Sequence, residues 1–317
     1  MNAESINWMS WKILPRMRAK PVIPPIKCQG IKTKLVRFIL ENVQWQGRGR
    51  WIEPFLGSGV VMFSVQPQRA IANDINPHII TFYQKLYDGS LTAGMVKEHL
   101  THEGNLLLKK GEDHYYEIRA RFNEKSDPLD FIFLSRACFN GVMRFNRKGE
   151  FNVPFCRKPE RFRQGYVTKI VNQVSNLCKI MQDKEWEFRV GDWRACLAEA
   201  RSNDFVYLDP PYIGRHTDYF NQWSEDDATS LAELAQNLPC GFALSMWKEN
   251  KYRSNAAYLN LWSGVEQRTI THFYHVGSTE VLRNSIEEVL LIKHGHEATS
   301  LAREHTPKKA RQLSMML

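Results

Sequence analysis

The stretch VYLDPPYIGRH, residues 206–216, ends an apolar run in Asp209, Pro210, Pro211 and Tyr212. The β-branched and aromatic residues before the aspartate are typical of a buried strand. A carboxylate and a peptide carbonyl, both held in place by rigid prolines, can accept the two hydrogens of an exocyclic amine. The amine nitrogen then directs its lone pair at an electrophilic methyl group, and the tyrosine ring offers a face for stacking a base. The stretch therefore predicts methylation of an amine on a base, without a metal ion. The simpler alternative is a strand that ends in a proline turn beside a packed tyrosine.

A second stretch, EPFLGSG at residues 53–59, predicts a place for the ligand that supplies this methyl group. Gly57 and Gly59 follow a predicted strand and precede an apolar helix, so the backbone can turn tightly and approach a ligand closely. Asp74 ends the next predicted strand, where an acidic residue accepts hydrogen bonds from ribose hydroxyls. Met62 stands where a dinucleotide fingerprint needs its third glycine, which favours a nucleoside such as S-adenosylmethionine over a nicotinamide dinucleotide. The alternative is an ordinary glycine turn followed by a helix cap.

The elements that must position these residues alternate between strands and helices. The predicted strands RWIEPF, RAIAND, WEFRV, FVYLD and GFALSM are separated by helical patterns, which favours a parallel sheet. QRTITHFYHV and SIEEVLLIK predict a closing antiparallel pair. Ligands bind beyond the carboxyl ends of parallel strands, so Asp74 and Asp209 are expected at one edge of the sheet.

The predicted fold class is α/β, a doubly wound, Rossmann-like sheet interrupted by a helical insertion. The helical patterns DHYYEIRARFN, DPLDFIFLSRACFN and YVTKIVNQVSNLCKIMQ fall between the two groups of strands. The sheet domain is predicted at residues 25–100 and 186–294, with the insertion at 101–185. A basic, proline-rich arm at 1–24 and a basic tail at 295–317 complete the prediction.

Composition limits the class of protein and of partner. The chain has 317 residues, of which 43% are hydrophobic and 12% aromatic, enough for a folded core. A formal net charge of +9 favours a polyanion, nucleic acid before a membrane, although a merely basic enzyme is the alternative. Six cysteines are scattered singly, which predicts no zinc site, and no run is long and apolar enough for a membrane span. A reducing cytoplasm is the expected compartment.

The stretch at residues 136–166, RACFNGVMRFNRKGEFNVPFCRKPERFRQGY, interleaves arginines and lysines with aromatic residues. This mixture suits contacts to phosphates and stacking on bases. Within it, RFNRKGEFNV predicts a hairpin that turns at Lys148-Gly149. The stretch therefore predicts a DNA-contacting segment, and the alternative is a solvated basic loop packed by its own phenylalanines.

The motifs and their order resemble a known family. Along the chain, the motif EPFLGSG comes first, the insertion follows, and the motif DPPY comes last. This order resembles that of the alpha group of N6-adenine DNA methyltransferases. Aspartate before the two prolines points to adenine, since cytosine-N4 relatives usually have serine and glutamine-N5 protein methyltransferases have asparagine. Six segments resemble the Dam-like family, and within it the modification methyltransferases of the EcoRV type. They are PPIKCQGIKTKLV, CFNGVMRFN, GEFNVPFC, DPPYIGRH, DYFN and HFYHVG. The resemblance spans about 22–294 of this chain.

The resemblance implies S-adenosylmethionine as cofactor and assigns residues to it. Lys32 would approach the cofactor carboxylate, Asp74 the ribose, and Asp192-Trp193 the adenine ring. Dam-like enzymes generally have an aromatic residue where this chain has Cys28. Asp209, Pro210, Pro211 and Tyr212 would be catalytic. The complete implied cofactor set is Cys28, Lys32, Glu53, Phe55, Gly57, Gly59, Asp74, Ile75, Asp192, Trp193 and Asp209.

The resemblance also implies that duplex DNA is the substrate and that the target adenine leaves the stack. Phe139 and Asn140 would fill the gap that the adenine leaves, and Arg144 would bind a guanine. A restriction-modification role follows, with GATATC as target, its first adenine modified, and a nuclease encoded nearby in a bacterial or phage genome. The implied DNA-binding set is Arg136, Phe139, Asn140, Arg144, Asn146, Arg147, Lys148 and Arg157.

Three other functions fit parts of the sequence. A nicotinamide-dependent oxidoreductase is favoured only by the α/β pattern, and the missing third glycine argues against it. A catalytically inactive DNA-binding protein of the same fold would not need the intact motif from Asp209 to Tyr212. An N-methyltransferase that acts on RNA or protein would share the cofactor and differ in substrate.

Overall fold

The computed structural model describes five stretches of the chain, and Tyr212 and the arm up to residue 19 lie outside them. The described residues are 20–28, 32–211, 223–250, 255–273 and 285–298.

The described strands form one seven-stranded sheet in the order β3-β2-β1-β4-β5-β7-β6. Strands β1 to β5 pair in parallel, whereas β7 runs antiparallel between β5 and β6. The strands are β1 (Trp51–Glu53), β2 (Arg69–Asp74), β3 (Glu185–Val190), β4 (Phe205–Leu208), β5 (Gly241–Asn250), β6 (Val265–Phe273) and β7 (Ser285–Lys293). The predicted Rossmann-like sheet with a closing antiparallel pair is confirmed.

Helices connect the parallel strands and fill the interval between β2 and β3. They are α1 (Val36–Asn42), α2 (Val60–Val65), α3 (Pro77–Tyr87), α4 (Ala93–Lys110), α5 (Glu112–Lys125), α6 (Pro128–Ala137), α7 (Gln164–Met181), α8 (Trp193–Ala198), α9 (Glu225–Gln236) and α10 (Ala256–Leu259). The sequence did not predict α4, which begins after Thr92, whose hydroxyl accepts a hydrogen bond from the Met95 amide. Residue 101, the predicted start of the insertion, therefore lies inside a helix.

Local signals explain where the helices next to the sheet edge begin. The Asn76 side chain accepts a hydrogen bond from the His78 amide at 3.0 Å, and Pro77 occupies the first helical position of α3. Ser224 and Asp227 form a reciprocal capping box at the start of α9. Both caps set the directions in which chain segments leave the carboxyl edge of the sheet.

Both faces of the sheet are covered by apolar side chains. One cluster joins Trp51 and Tyr207 in the sheet to Leu100, Phe131 and Val174 in the helices between β2 and β3. The other joins alternate residues of the same strands to α8 and α9. Because neighbouring residues of a strand point to opposite faces, the strands read as almost continuous apolar runs. The helical segment 93–181 therefore packs directly on the sheet that carries the site.

Arg136 in α6 belongs to the DNA-binding set that the sequence predicted, but its side chain is buried in the protein. Its side chain is 3% exposed, and its Nε donates to the carbonyl of Pro25 at 2.5 Å. One terminal nitrogen donates to Gln173 Oε1 at 2.7 Å. These bonds tie the segment 20–28 to α6 and α7 and leave the guanidinium turned away from solvent. This placement contradicts a direct DNA contact, because α6 and the proline segment enclose the side chain.

We expect Arg136→Met to destabilise the protein by about 2–4 kcal/mol, because the Pro25 carbonyl and the Gln173 amide lose a charged donor in a buried place. Methionine keeps much of the apolar stem, so the loss reports mainly on the hydrogen bonds. Urea unfolding followed by circular dichroism measures the change. Arg37→Met in α1 is the control, because Arg37 is 75% exposed, and its effect should stay within about 0.5 kcal/mol. Equal stability of the two variants would contradict the structural role.

Candidate active site

The carboxyl ends of β1 and β2 are joined by hydrogen bonds to Asp74. The amide of Gly57 donates to Asp74 Oδ2 at 2.8 Å, and the amide of Asn76 donates to Oδ1 at 2.9 Å. A carboxylate oxygen has more than one lone pair, so each can accept a further hydrogen bond. Asp74 is thus fixed against the glycine turn at the carboxyl end of β2.

The two glycines of this turn serve different purposes. Gly59 has φ +71°, and a β-carbon there would lie 2.3 Å from the Phe63 ring, so it permits close packing of α2. Gly57 has φ +50°, but a β-carbon there would meet nothing within 4 Å. The space beside Gly57 is open, and it allows the backbone to approach a bound molecule.

Asn73 fixes the neighbouring loops around this turn. Its amide nitrogen donates to the carbonyl of Pro54 at 3.0 Å and to that of Gly191 at 3.0 Å. The ends of β1, β2 and β3 are therefore tied together. Ile75 follows directly, and its apolar side chain is 48% exposed at this edge. An exposed isoleucine between polar loops is a suitable surface for an aromatic ring.

The end of β3 brings Asp192 and Trp193 to the same edge. Asp192 caps α8 by accepting from the amide of Arg194 at 2.7 Å, and its other oxygen lies 3.0 Å from the Arg194 guanidinium. Trp193 is buried, with its ring centroid 6.0 Å from that of Phe55 and 5.9 Å from that of Trp223. The aromatic cluster thus joins two predicted residues, Phe55 and Trp193, to Trp223 at the start of the segment that leads into α9.

Asp209 lies at the end of β4 and forms an ion pair with a residue far away in sequence. Lys32 Nζ is 2.9 Å from Asp209 Oδ1; the lysine side chain is 3% exposed and the aspartate 23%. Ser245 in β5 donates a hydrogen bond to the same oxygen at 3.2 Å. Burial raises the pKa of Asp209 above its ordinary value, while Lys32 and Ser245 act in the opposite direction. Both contacts therefore hold the carboxylate by the same oxygen at the end of β4.

A buried tyrosine supports this contact. The Tyr207 hydroxyl lies 2.8 Å from Ser245 Oγ, and both side chains are 2% exposed. Burial raises the pKa of Tyr207 well above its ordinary value, so the phenol keeps its proton. Because Ser245 uses its own proton toward Asp209, Tyr207 is the donor to Ser245. The sequence did not predict either residue; a serine inside the apolar strand GFALSM was the available signal.

Glu53, at the end of β1, is the second acidic residue at the floor of the site. Its side chain is 2% exposed and accepts a hydrogen bond from Trp51 Nε1 at 2.8 Å. Burial raises the pKa of Glu53 to about 8, and the nearby Asp209 charge acts in the same direction. Glu53 is therefore neutral at pH 7, and a cation bound beside it would favour its ionised form.

The remaining predicted residues of this edge are placed as follows. Pro210 is buried and Pro211 is half-buried, directly after Asp209. Cys28 is half-buried and packs against the larger apolar cluster. The prediction for Tyr212 falls outside the described residues. The ends of the parallel strands thus place Glu53, Asp74, Asp192 and Asp209 at one edge of the sheet, whereas Cys28 is located by its packing on the apolar cluster.

Residues 138–157, here called the basic ribbon, include the hairpin that the sequence predicted at residues 144–153. Its turn centres on Arg147 and Lys148, one residue before the predicted Lys148-Gly149. Antiparallel bridges join Cys138 to Phe155 and Phe145 to Phe151. The turn is closed by a hydrogen bond from the Gly149 amide to the carbonyl of Asn146 at 2.9 Å. The phenylalanines of the bridges are buried, which fixes the ribbon on the helices beneath it.

Most of the predicted DNA-binding side chains are exposed on this ribbon. Phe139 is 54% exposed, a large apolar surface on a basic segment, and Asn140 beside it has φ +56°. Asn146 instead uses its side-chain oxygen within the turn, accepting from the amides of Lys148 and Glu150 at 2.9 and 3.0 Å. The exposed predicted members are Phe139, Asn140, Arg144, Arg147, Lys148 and Arg157.

Within the described part of the chain, no group of three or more histidine, cysteine, aspartate or glutamate side chains is placed to hold a metal ion. No helix there is long and apolar enough to cross a membrane.

Comparison with known proteins gives the family. The family model of the D12 class N6 adenine-specific DNA methyltransferases matches residues 29–279. The Type II methyltransferase M.MjaIII of Methanocaldococcus jannaschii is 29% identical over 246 residues, which cover 68% of this chain and 80% of that protein. The DNA adenine methylase of Vibrio cholerae is 26% identical over 256 residues, 76% of this chain and 86% of the relative.

A third relative is somewhat more similar over a shorter stretch. The DNA adenine methylase of Serratia marcescens is 32% identical over 200 residues, which cover 59% of this chain and 68% of the relative. The matched family region contains both the glycine turn and Asp209, and it extends over most of the chain. The chain therefore belongs to the D12 class N6 adenine-specific DNA methyltransferases, the Dam-like family.

Proposed function

We propose that the chain transfers a methyl group from S-adenosylmethionine to N6 of an adenine that is turned out of duplex DNA. The observation that carries the proposal is the position of Asp209. It lies at the end of β4, at the same edge as the Gly57 turn and Asp74, and is held on one oxygen by Lys32. An amine and a methyl donor bound at this edge would meet beside a fixed carboxylate.

The residues present suit S-adenosylmethionine. Asp74 offers acceptor oxygens for the two ribose hydroxyls, and Gly57 leaves open space beside them. The exposed Ile75 side chain suits the adenine ring of the cofactor, and Glu53 suits the ammonium group of its amino acid end. We assign Cys28, Lys32, Phe55, Asp192 and Trp193 to the same pocket on the strength of the family resemblance.

Bound S-adenosylmethionine would supply an activated methyl group: the amine nitrogen would bond to the methyl carbon as the carbon–sulfur bond breaks, the electron pair would stay on sulfur, and the surplus amine proton would pass to water. Asp209 would accept one amine hydrogen and the Pro210 carbonyl the other. Both acceptors favour a pyramidal nitrogen, whose lone pair is otherwise delocalised into the ring. Their fixed positions mean that little reorganisation is needed when the reaction occurs.

The direct test is incubation of the protein with duplex DNA and labelled S-adenosylmethionine, followed by mass spectrometry of the nucleosides. We expect N6-methyladenine as the labelled product. Folded protein that yields none on DNA of mixed sequence would count against the proposal. RNA and protein substrates in competition with duplex DNA test the other N-methyltransferase functions, and DNA should be preferred.

The segment 101–185 is proposed as the part that reads DNA. Its basic ribbon has exposed cationic side chains for phosphates, and its exposed Phe139 suits a place inside the base stack. Arg144 Nε donates to Asn152 Oδ1 at 3.0 Å, which holds the guanidinium on the surface of the ribbon. We propose that Phe139 and Asn140 occupy the gap that the adenine leaves and that Arg144 binds a guanine.

Phe139→Ala should lower kcat/KM on duplex DNA about 10-fold or more, because the stacking partner of the opened helix is lost. Methylation of single-stranded DNA should change much less, since there no stack has to be opened. Steady-state assays on both substrates measure the difference. Leu108→Ala in α4 is the control, because Leu108 is 61% exposed and lies outside the ribbon. Equal losses on the two substrates would contradict the stacking role.

A role in restriction-modification, with GATATC as target and its first adenine modified, is the narrowest part of the proposal. The resemblance to EcoRV-type enzymes supports it, and one relative carries the name Type II methyltransferase. Plasmid DNA from cells that express the protein can be challenged with a restriction enzyme that cuts this sequence. Protection is expected; complete digestion would refute the target while leaving the proposed chemistry intact.

A further inference from the structure

The described contacts to the carboxylate of Asp209 all fall on one of its two oxygens. Lys32 and Ser245 both approach Oδ1, at 2.9 and 3.2 Å. Within the described ranges these two contacts fall on the same oxygen. The two contacts come from different parts of the chain, the segment before α1 and the middle of β5, so the orientation of the carboxylate is set by tertiary structure.

Both contacting groups are themselves fixed. The carbonyl of Lys32 accepts from the amides of Leu35 and Val36 at 2.7 and 3.0 Å, which anchors its backbone at the start of α1. Ser245 is held by the buried Tyr207 hydroxyl at 2.8 Å. The result is a one-way chain of donors from Tyr207 through Ser245 to Asp209, beside an ammonium that is 3% exposed. Buried groups in fixed positions of this kind lose little freedom when a ligand binds.

The ionisable side chains that face Asp209 come from four parts of the chain. Lys32 lies before α1, Glu53 ends β1, Tyr207 is in β4 and Glu288 is in β7. Burial and the Glu288 charge raise the pKa of Asp209, and Lys32 lowers it. Of the ionisable side chains that face Asp209 in the described residues, Lys32 is therefore the one that favours its ionised form.

We propose that Lys32 and the Tyr207–Ser245 pair are positioning residues for the methyl transfer: they hold Asp209 by Oδ1, keep it anionic, and present Oδ2 to the adenine amine. This role rests on the proposed function and differs from the contact with the cofactor carboxylate that the resemblance implied for Lys32. It predicts that the lysine acts on the pH dependence of the reaction as well as on its rate.

The test measures single-turnover methylation at saturating DNA and cofactor over a range of about pH 5.5 to pH 9 for the wild type and its variants. Lys32→Met should move the acidic limb of the profile toward higher pH by about one pH unit or more, because Asp209 then takes up its proton more readily. Ser245→Ala should move the limb in the same direction by less. Lys32→Arg keeps the charge and should leave the limb near that of the wild type. Lys97→Met, in the exposed surface of α4, is the matched control and should change nothing.

The outcomes separate the possible roles. A rate that falls equally at every pH in both Lys32→Met and Ser245→Ala would overturn the proposal. Such a result would mean that the two side chains only support the structure, because the acidic limb of the pH profile would then stay where it is in the wild type. Weaker binding of S-adenosylmethionine with an unchanged profile at saturation would also overturn it and return Lys32 to the cofactor site. Ser245→Ala keeps the test decisive if Lys32→Met does not fold. A wild type that forms no N6-methyladenine would refute the proposed function itself, and this inference with it.

Discussion

Asp209→Ala is expected to lower the rate of methyl transfer about 10³-fold or more, because the amine loses the acceptor that orients it. Binding of duplex DNA should remain measurable, since the exposed cations of the basic ribbon lie on a separate part of the chain. Asp209→Asn keeps an acceptor oxygen but loses the ion pair with Lys32, which joins the two side chains at 2.9 Å. Its rate should therefore fall between those of the wild type and the alanine variant.

Single-turnover assays with labelled cofactor measure this rate, and a filter-binding assay measures DNA affinity. Asp226→Ala, which removes an exposed carboxylate from the first turn of α9, is the matched control and should keep full activity. Full activity of Asp209→Ala would refute the assigned role. Loss of activity together with loss of folding, seen by circular dichroism, would make Asp209→Asn the deciding variant.

The sheet edge and its polar residues could be predicted because their signals are local. Asp209 and Asp74 each end an apolar strand, and the alternation of strands with helices favours parallel pairing. Parallel strands place their carboxyl ends together, so two residues far apart in sequence had to share an edge. The parallel pairing of β1 with both β2 and β4 agrees with that expectation.

Helix α4 could not be predicted from its own pattern. Its sequence AGMVKEHLTHEGNLLLKK is rich in polar residues and has Gly104 in its interior, and both weaken the helical signal. The glycine has a packing reason, because a β-carbon there would lie 2.5 Å from Phe162. The contact joins residues from distant parts of the chain, and a reading of single segments does not contain it.

The basic residues between positions 136 and 166 show the same limit for the site. Composition predicted DNA contact for Arg136, yet this side chain is buried against Pro25, 111 positions earlier in the chain. Asn146 likewise serves the turn that it begins. Residue type gave the charge of the segment, whereas tertiary contacts decided which cations remain on its surface.

Ser245 and Tyr207 were missed because their importance depends on register. In the parallel pairing of β4 with β5, Leu208 lies beside Leu244, which brings the next residues, Asp209 and Ser245, together. The hydrogen bond between them follows from that register. A polar residue in an apolar strand is a signal that something must satisfy it, but only the neighbouring strand identifies the partner.

Glu53→Gln is expected to stabilise the ligand-free protein at pH 8 and to weaken its binding of S-adenosylmethionine. The pKa of Glu53 is raised to about 8 by burial, whereas in the unfolded chain it is an ordinary carboxyl. Between about pH 4.5 and pH 8 the unfolded chain ionises this group and the folded protein does not, so stability falls as pH rises through that window. Glutamine cannot ionise and offers one acceptor oxygen for the Trp51 Nε1 and Met62 backbone donors, so the variant should lack the pH-dependent loss of stability, which is on the order of 4 kcal/mol between pH 4.5 and pH 8.

The same carboxyl links cofactor binding to pH. A cationic ligand beside Glu53 favours its ionised form, so binding to the wild type should release a proton and strengthen as pH rises toward 8. Calorimetry in two buffers of different ionisation enthalpy measures that proton, and Glu53→Gln should release none while binding more weakly. Glu98→Gln, an exposed position on α4, should reproduce the wild type in both stability and proton release. If Glu53→Gln kept the wild-type slope of stability with pH, another group would be responsible; if it kept the wild-type affinity, the cation would bind elsewhere. A Glu53→Gln variant that is more stable at pH 8 but binds S-adenosylmethionine more weakly would show that this buried carboxyl serves ligand binding and destabilises the ligand-free fold.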